Sequence, residues 1–99
     1  MSHLDERLAK EIEIAKDIMG RGDFWIVAYD FPEAPPESFY YAYHQLRKLY
    51  PDDIARIQYS VVVTSYEGMA YKIGKIVEQL GGAYIVARGQ TIEVKARYW

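Results

Sequence analysis

The residue whose type and position point most directly to chemistry is Asp30. It is the first charged residue after an unbroken apolar run from Phe24 to Tyr29, and this β-branched and aromatic run predicts a central strand buried on both faces. A carboxylate at the end of such a strand is held rigidly and still reaches solvent, which suits a metal ligand or general base. The competing interpretation is that Asp30 starts the turn towards Pro32, because Asp favours turns.

Basic residues form two local groups that could contact an anionic ligand. One group is Arg47, Lys48 and Arg56, and the other is Arg88, Lys95 and Arg97. The net charge of −2 argues against a generic nucleic-acid coat. The acidic excess lies within residues 1–23, and the remainder of the chain is balanced. Any basic surface therefore depends on local clustering.

Common catalytic and cofactor motifs are absent from the sequence. It contains no P-loop, GxGxxG, GxSxG or HExxH pattern. Neither His3 nor His44 has a carboxylate at ligand spacing, which argues against zinc. The chain has no cysteine, so disulfides and thiolate metal sites are excluded. Asp52 and Asp53 follow Pro51 and predict a turn.

Length and hydropathy predict one folded domain outside the membrane. The 99 residues are 51% hydrophobic, which is typical of a single globular domain and not of a disordered chain. No apolar run approaches the ~20 residues of a membrane span. The charged N-terminus lacks the apolar core of a signal peptide. We therefore expect a cytoplasmic protein with no membrane partner.

The N-terminal region, residues 1–23, predicts an amphipathic helix over 3–19 that ends at Gly20 and Gly22. The charged face of this helix is expected to be solvated. Its apolar stripe needs a partner, either the sheet of the same domain or a second copy of the chain. The stripe consists of Leu4, Leu8, Ile12, Ala15 and Met19.

The remaining segments alternate between strand and helix. A proline-rich loop follows the first strand, and a helix then runs from Pro36 to Tyr50. Residues 54–65 alternate in polarity, as one strand or as two strands with a sharp bend near 58–60. A further helix lies within 64–80. Strands are predicted at 83–88 and 91–97, joined by a two-residue hairpin turn at Gly89-Gln90.

This order of elements predicts an α+β fold. If 54–65 holds two strands, residues 24–99 form a ferredoxin-like βαββαβ domain. The N-terminal helix and a C-terminal strand would then be additions to that domain. If 54–65 holds one strand, a small α/β sheet of two or three layers results. We favour the two-strand interpretation.

Two short segments resemble a known family. The run Trp25-Ile26-Val27-Ala28-Tyr29-Asp30, a helix with basic residues, and then Arg56-Ile57-Gln58-Tyr59-Ser60-Val61 resemble the small CRISPR-associated protein of the spacer-integration complex. The resemblance covers roughly residues 24–97 and extends to the related virulence-associated protein D family. Val62 stands where that family has an aromatic residue, and prolines replace the arginines that usually follow the first strand.

The resemblance implies a ferredoxin-like homodimer that binds duplex DNA or RNA and acts as a metal-dependent nuclease. Asp30 would be the catalytic residue and the ligand of Mg²⁺ or Mn²⁺, facing its symmetry mate across the two-fold axis. Arg47, Lys48 and Arg56 would bind the nucleic acid. The C-terminal strand would reach the partner's sheet, placing Ile92 and Val94 in the dimer interface. One alternative is a non-catalytic dimerisation or scaffold domain of the same fold, with the N-terminal helix as the partner-binding element. Another is a small-ligand-binding regulatory domain of ferredoxin-like type.

A homodimer is also expected from the residues themselves. The chain has limited core volume, yet it carries a spare amphipathic helix, ten tyrosines and a long C-terminal β segment. Apolar surface of this extent is commonly buried against a second copy.

Overall fold

One antiparallel sheet with helices on both faces organises the chain. The computed structural model describes residues 3–58 and 60–91, with the side chains of the first helix described from Ala9 onward. In chain order the elements are α1 (His3–Gly20), β1 (Asp23–Asp30), α2 (Glu37–Leu49), β2 (Ile54–Gln58), β3 (Val61–Thr64), α3 (Glu67–Gln79) and β4 (Ala83–Gln90). The strand order is β2-β3-β1-β4, with antiparallel neighbours throughout. The predicted α+β class is confirmed, and 54–65 contains two strands.

The apolar run predicted to form a central strand is β1, which lies between β3 and β4. Its side chains alternate between the two faces, as the period of two requires. Val27 is fully buried on the face that α2 and α3 cover. Phe24 is buried on the other face, against α1. Asp30 ends the strand and is exposed.

The larger core lies between the sheet and the pair α2 and α3. An aromatic group stands at its centre, with the rings of Tyr29 and Phe39 4.8 Å apart and those of Phe31 and Phe39 5.5 Å apart. Such tilted and edge-on contacts add to the stabilisation that burial provides. Other members of this core are Val27, Tyr43, Leu46, Ile54, Val62, Met69, Ala70, Ile73 and Val77.

Helix α1 covers only half of the opposite face. It packs on the β2–β3 side through a smaller cluster in which Ile18 is fully buried. The other members of that cluster are Ala15, Phe24, Ala55 and Val63. On the same face of β4, Ala83, Ile85 and Ala87 are exposed. Among the described residues, α1 therefore covers the β2–β3 half of this face, and the half that carries Ile85 is exposed; we call it the open half.

The hairpin turn predicted at Gly89-Gln90 is wrong, because β4 continues straight through both residues. Gln90 pairs with Asp23, and Gly89 pairs with Phe24. A Cβ atom on Gly89 would lie 2.6 Å from the Phe24 ring. The glycine therefore makes room for a buried ring instead of bending the chain. The strand predicted for 91–97, including Ile92 and Val94, lies outside the described residues beyond Thr91.

We expect Gly89→Ala to lower the free energy of unfolding by about 1–3 kcal/mol, because the added methyl overpacks against Phe24. Chemical denaturation measures this loss. Gly68→Ala is the matched control, since a Cβ atom there meets nothing within 4 Å and alanine favours the helix. Equal stability of the two variants would contradict the assigned role of Gly89.

Candidate functional site

Asp30 stands alone at one end of the sheet. It is exposed, and its backbone pairs with Ala83 of β4. It borders an open depression of about 250 Å³, lined by Ala28, Tyr29, Asp30, Ala83, Tyr84 and Ile85. The lining is mostly apolar, and Asp30 is the carboxylate among these lining residues.

A second group of polar residues converges at the outer edge of β2, where no catalytic motif was predicted. The carboxylate of Glu11, on α1, accepts the backbone N–H of Arg56 at 3.2 Å. It also accepts a long hydrogen bond from the Tyr43 hydroxyl at 3.5 Å. The Arg47 Nη2 atom lies 3.5 Å from Glu11 Oε1. One carboxylate thus gathers donors from β2 and α2.

Burial and nearby charges keep the Tyr43 hydroxyl protonated and hold the Arg47 guanidinium in place. The Tyr43 side chain is 3% exposed. Burial raises the pKa of its hydroxyl, and the nearby Glu11 charge raises it further, so the phenol keeps its proton and donates it. The Arg47 side chain is 18% exposed, and its Nη1 atom also donates to the Pro51 carbonyl at 2.6 Å. Arg47 is therefore held at both ends of its guanidinium.

The Arg56 guanidinium is enclosed by aromatic rings. Its central carbon lies 5.1 Å from the Tyr40 ring centre and 5.7 Å from that of Tyr43, within cation–π range. It also interacts with Tyr29, whose pKa is raised by burial and lowered in part by the Arg56 charge. The guanidinium thus faces the α2 side of the sheet and packs against rings.

The three predicted nucleic-acid-binding residues are in three different situations. Arg47 is engaged by Glu11 and Pro51, and Arg56 is enclosed by tyrosines. Lys48 is exposed on α2. The three side chains therefore do not form one free basic surface.

Sequence reasoning missed Glu11, because the charged face of α1 was expected to be solvated. The sequence does contain a pattern that points to Glu11. Ala15 follows it by four residues and Ile18 follows Ala15 by three, so all three lie on one face of the helix. The structure buries Ala15 and Ile18 on this line. Of the predicted stripe, Ala15 is buried, whereas Ile12 and Met19 are half-buried. The side chains of Leu4 and Leu8 lie outside the described part of the chain.

A third polar group fixes the end of α1 to the turn before β2. The Asp53 carboxylate accepts from Arg21 Nη1 at 2.8 Å and from Ser65 Oγ at 2.7 Å. Arg21 also donates to Asp17 and to the Asp52 carbonyl. The turn predicted at Asp52 and Asp53 is confirmed. The role of this group is structural, since its donors and acceptors satisfy one another.

Comparisons with protein-family models, with curated proteins and with solved structures found no significant match to the chain. Among the described side chains, those of residues 9–58 and 60–91, no group of three or more His, Asp or Glu residues is arranged to hold a metal ion. In the same part of the chain, no helix has the length and apolar character needed to cross a membrane.

We expect Asp53→Asn to lower the free energy of unfolding by about 1 kcal/mol at pH 7, because the charge-assisted bonds to Asp53 are weakened. The hydrogen bond from Ser65 and the Arg21 contact hold the pKa of Asp53 below its ordinary value of 3.8. Its stabilising effect is thus complete above that value and is lost as the pH falls further, through the folded-state pKa.

Denaturation at a series of pH values measures the difference between wild type and variant, which should vanish in strong acid. Asp52→Asn is the control, because Asp52 contributes its backbone carbonyl to Arg21. A difference that persists unchanged at the lowest pH would contradict the assigned ionic contribution.

Proposed function

We propose that the chain is a homodimerisation module with a ferredoxin-like βαββαβ body, in which the open half of the sheet binds a second copy. The observation that carries this proposal is Ile85, which is 69% exposed at the centre of that half. The βαββαβ order after α1 and the strand order β2-β3-β1-β4 support the ferredoxin-like assignment.

The register of the strands makes the open half a continuous apolar surface. Ile85 is paired with Ala28, and Ala28 is paired in turn with Val61. Ala83 and Ala87 flank Ile85 on the same face. The small residues around Ile85 leave space for the Ile85 side chain of a second copy to pack against them. We use the name open sheet face for Ala28, Val61, Ala83, Ile85 and Ala87.

In a two-fold symmetric dimer, each copy contributes the same apolar residues to the interface. A two-fold axis through the open sheet face would bury Ile85 twice, once from each copy. Full burial of one such side chain contributes about 1.5–3 kcal/mol. Helix α1 stands on the other half of the same face and would flank the partner, which limits the contact to the β1–β4 side.

We expect Ile85→Lys to dissociate the dimer, because a charge placed in an apolar interface loses its hydration. Light scattering coupled to gel filtration measures the mass, which should be twice 11.5 kDa for wild type and 11.5 kDa for the variant. Leu49→Lys is the matched control, since Leu49 is 71% exposed on α2, away from the sheet. A monomeric wild type at micromolar concentration would refute the proposal.

A second candidate function is a metal-dependent nuclease related to the CRISPR-associated family. The observation that favours it is that Asp30 lies on the same face as Ile85, paired with Ala83 at the end of β1. A two-fold axis near this end would bring two Asp30 carboxylates together. Magnesium is commonly held by one or two carboxylates, together with waters and substrate phosphates. Exposed Lys48 is the member of the predicted basic group that is free to contact the nucleic acid.

We expect Asp30→Asn to abolish Mg²⁺- or Mn²⁺-dependent cleavage of DNA or RNA, because the amide keeps the shape of the side chain and removes its charge. Glu33→Gln, at an exposed position in the following loop, should cleave as wild type does. Cleavage assays with both nucleic acids across divalent ions test this. Undiminished cleavage by Asp30→Asn, or none by wild type, would reject the nuclease and leave the dimerisation proposal standing.

A further inference from the structure

Three groups at the edge of β2 converge on the Glu11 carboxylate. The Arg56 backbone N–H and the Tyr43 hydroxyl donate hydrogen bonds to it, and the Arg47 guanidinium forms an ion pair with it at 3.5 Å. We call these three groups the edge donor set. They come from β2 and α2, whereas the carboxylate comes from α1. An acceptor from a separate element therefore fills a site that the rest of the domain provides.

The chemistry of the edge donor set is that of an oxyanion site. A backbone N–H, a hydroxyl and a guanidinium are the groups that bind phosphate and carboxylate in proteins. Arginine in particular matches the spacing of two oxygens on one anion. Tyr43 is buried and keeps its proton, so it acts as a donor to whatever anion is present.

We propose that the edge donor set is a phosphate-binding site, occupied internally by the Glu11 carboxylate. In this arrangement α1 acts as a built-in competitor. Because Glu11 is part of the same chain, its effective concentration at the site is high, and free phosphate competes poorly with it. Removal of the carboxylate leaves the donors in place and opens the site to an external phosphate group.

This site is separate from the proposed dimer interface. It lies at the outer edge of β2, whereas the open sheet face is centred on Ile85 of β4, the strand at the opposite edge of the sheet. The mass of the protein in solution therefore tests the dimer interface and does not test the edge donor set.

Glu11→Ala tests the proposal with inorganic phosphate as the probe. We expect phosphate to raise the melting temperature of the variant more than sodium chloride does at equal ionic strength. In wild type the two salts should differ much less. Glu13→Ala is the matched control, because Glu13 is an exposed glutamate of the same helix that pairs with Lys16. The same phosphate response in Glu13→Ala would overturn the proposal.

The amide resonance of Arg56 gives a direct readout of the site. It should shift in Glu11→Ala and move back towards its wild-type position as phosphate is added. The double variant Glu11→Ala/Arg47→Ala should bind phosphate about tenfold more weakly, the loss expected for one charge-assisted hydrogen bond. An Arg56 amide that does not respond to phosphate in Glu11→Ala would overturn the proposal.

Glu11→Gln provides a second route if Glu11→Ala does not fold in chloride. Glutamine keeps the size of the side chain and removes the charge that holds Arg47. Recovery of the Glu11→Ala fold in phosphate, or a phosphate-dependent shift of the Arg56 amide in Glu11→Gln, would support the site. Failure of both would overturn it.

Discussion

The hydrogen bond between the Glu11 carboxylate and the Arg56 backbone N–H ties helix α1 to the outer strand of the sheet. An outer strand exposes backbone groups that need partners, and proteins commonly cover such edges. Here α1 supplies the acceptor from one face, and α2 supplies Tyr43 and Arg47 from the other. This contact satisfies one backbone N–H at the edge of β2 and, together with the buried cluster around Ile18, holds α1 over β2 and β3.

The position of α1 makes one half of the sheet face buried and leaves the other half exposed to solvent. On the β2–β3 side, a helix and a buried cluster around Ile18 cover the face. On the β1–β4 side, the same face carries Ile85 in contact with solvent. The candidate sites follow this division, since Asp30 lies at the end of the open half and the edge donor set lies beside the covered half. The placement of α1 over β2 and β3 thus separates the proposed anion site from the proposed association surface.

Composition and period predicted most of the elements, because burial dominates their formation. The run before Asp30 has the residue types of a central strand, and the polarity of 54–65 fits the hairpin that the structure shows. The turn predicted at Gly89 was wrong because glycine is equally common in turns and at positions where another group packs close to the backbone. The second explanation applies here, since the Phe24 ring packs against Gly89. Glu11 was missed because its partners lie 32 and 45 residues away. The roles predicted for Ile92 and Val94 fall outside the described residues.

The pairing of β1 with β4 has a consequence for the order in which the chain folds. Asp23 and Gln90 are neighbours in the sheet although 67 residues separate them. By contrast, β2 and β3 are joined by a short connection and can pair early, since local contacts cost little loop-closure entropy. During synthesis, the backbone groups of β1 that bond to β4 stay unpaired until β4 has been made. The edge of β1 that pairs with β4 is therefore completed last, and an unpaired strand edge is prone to aggregation until then.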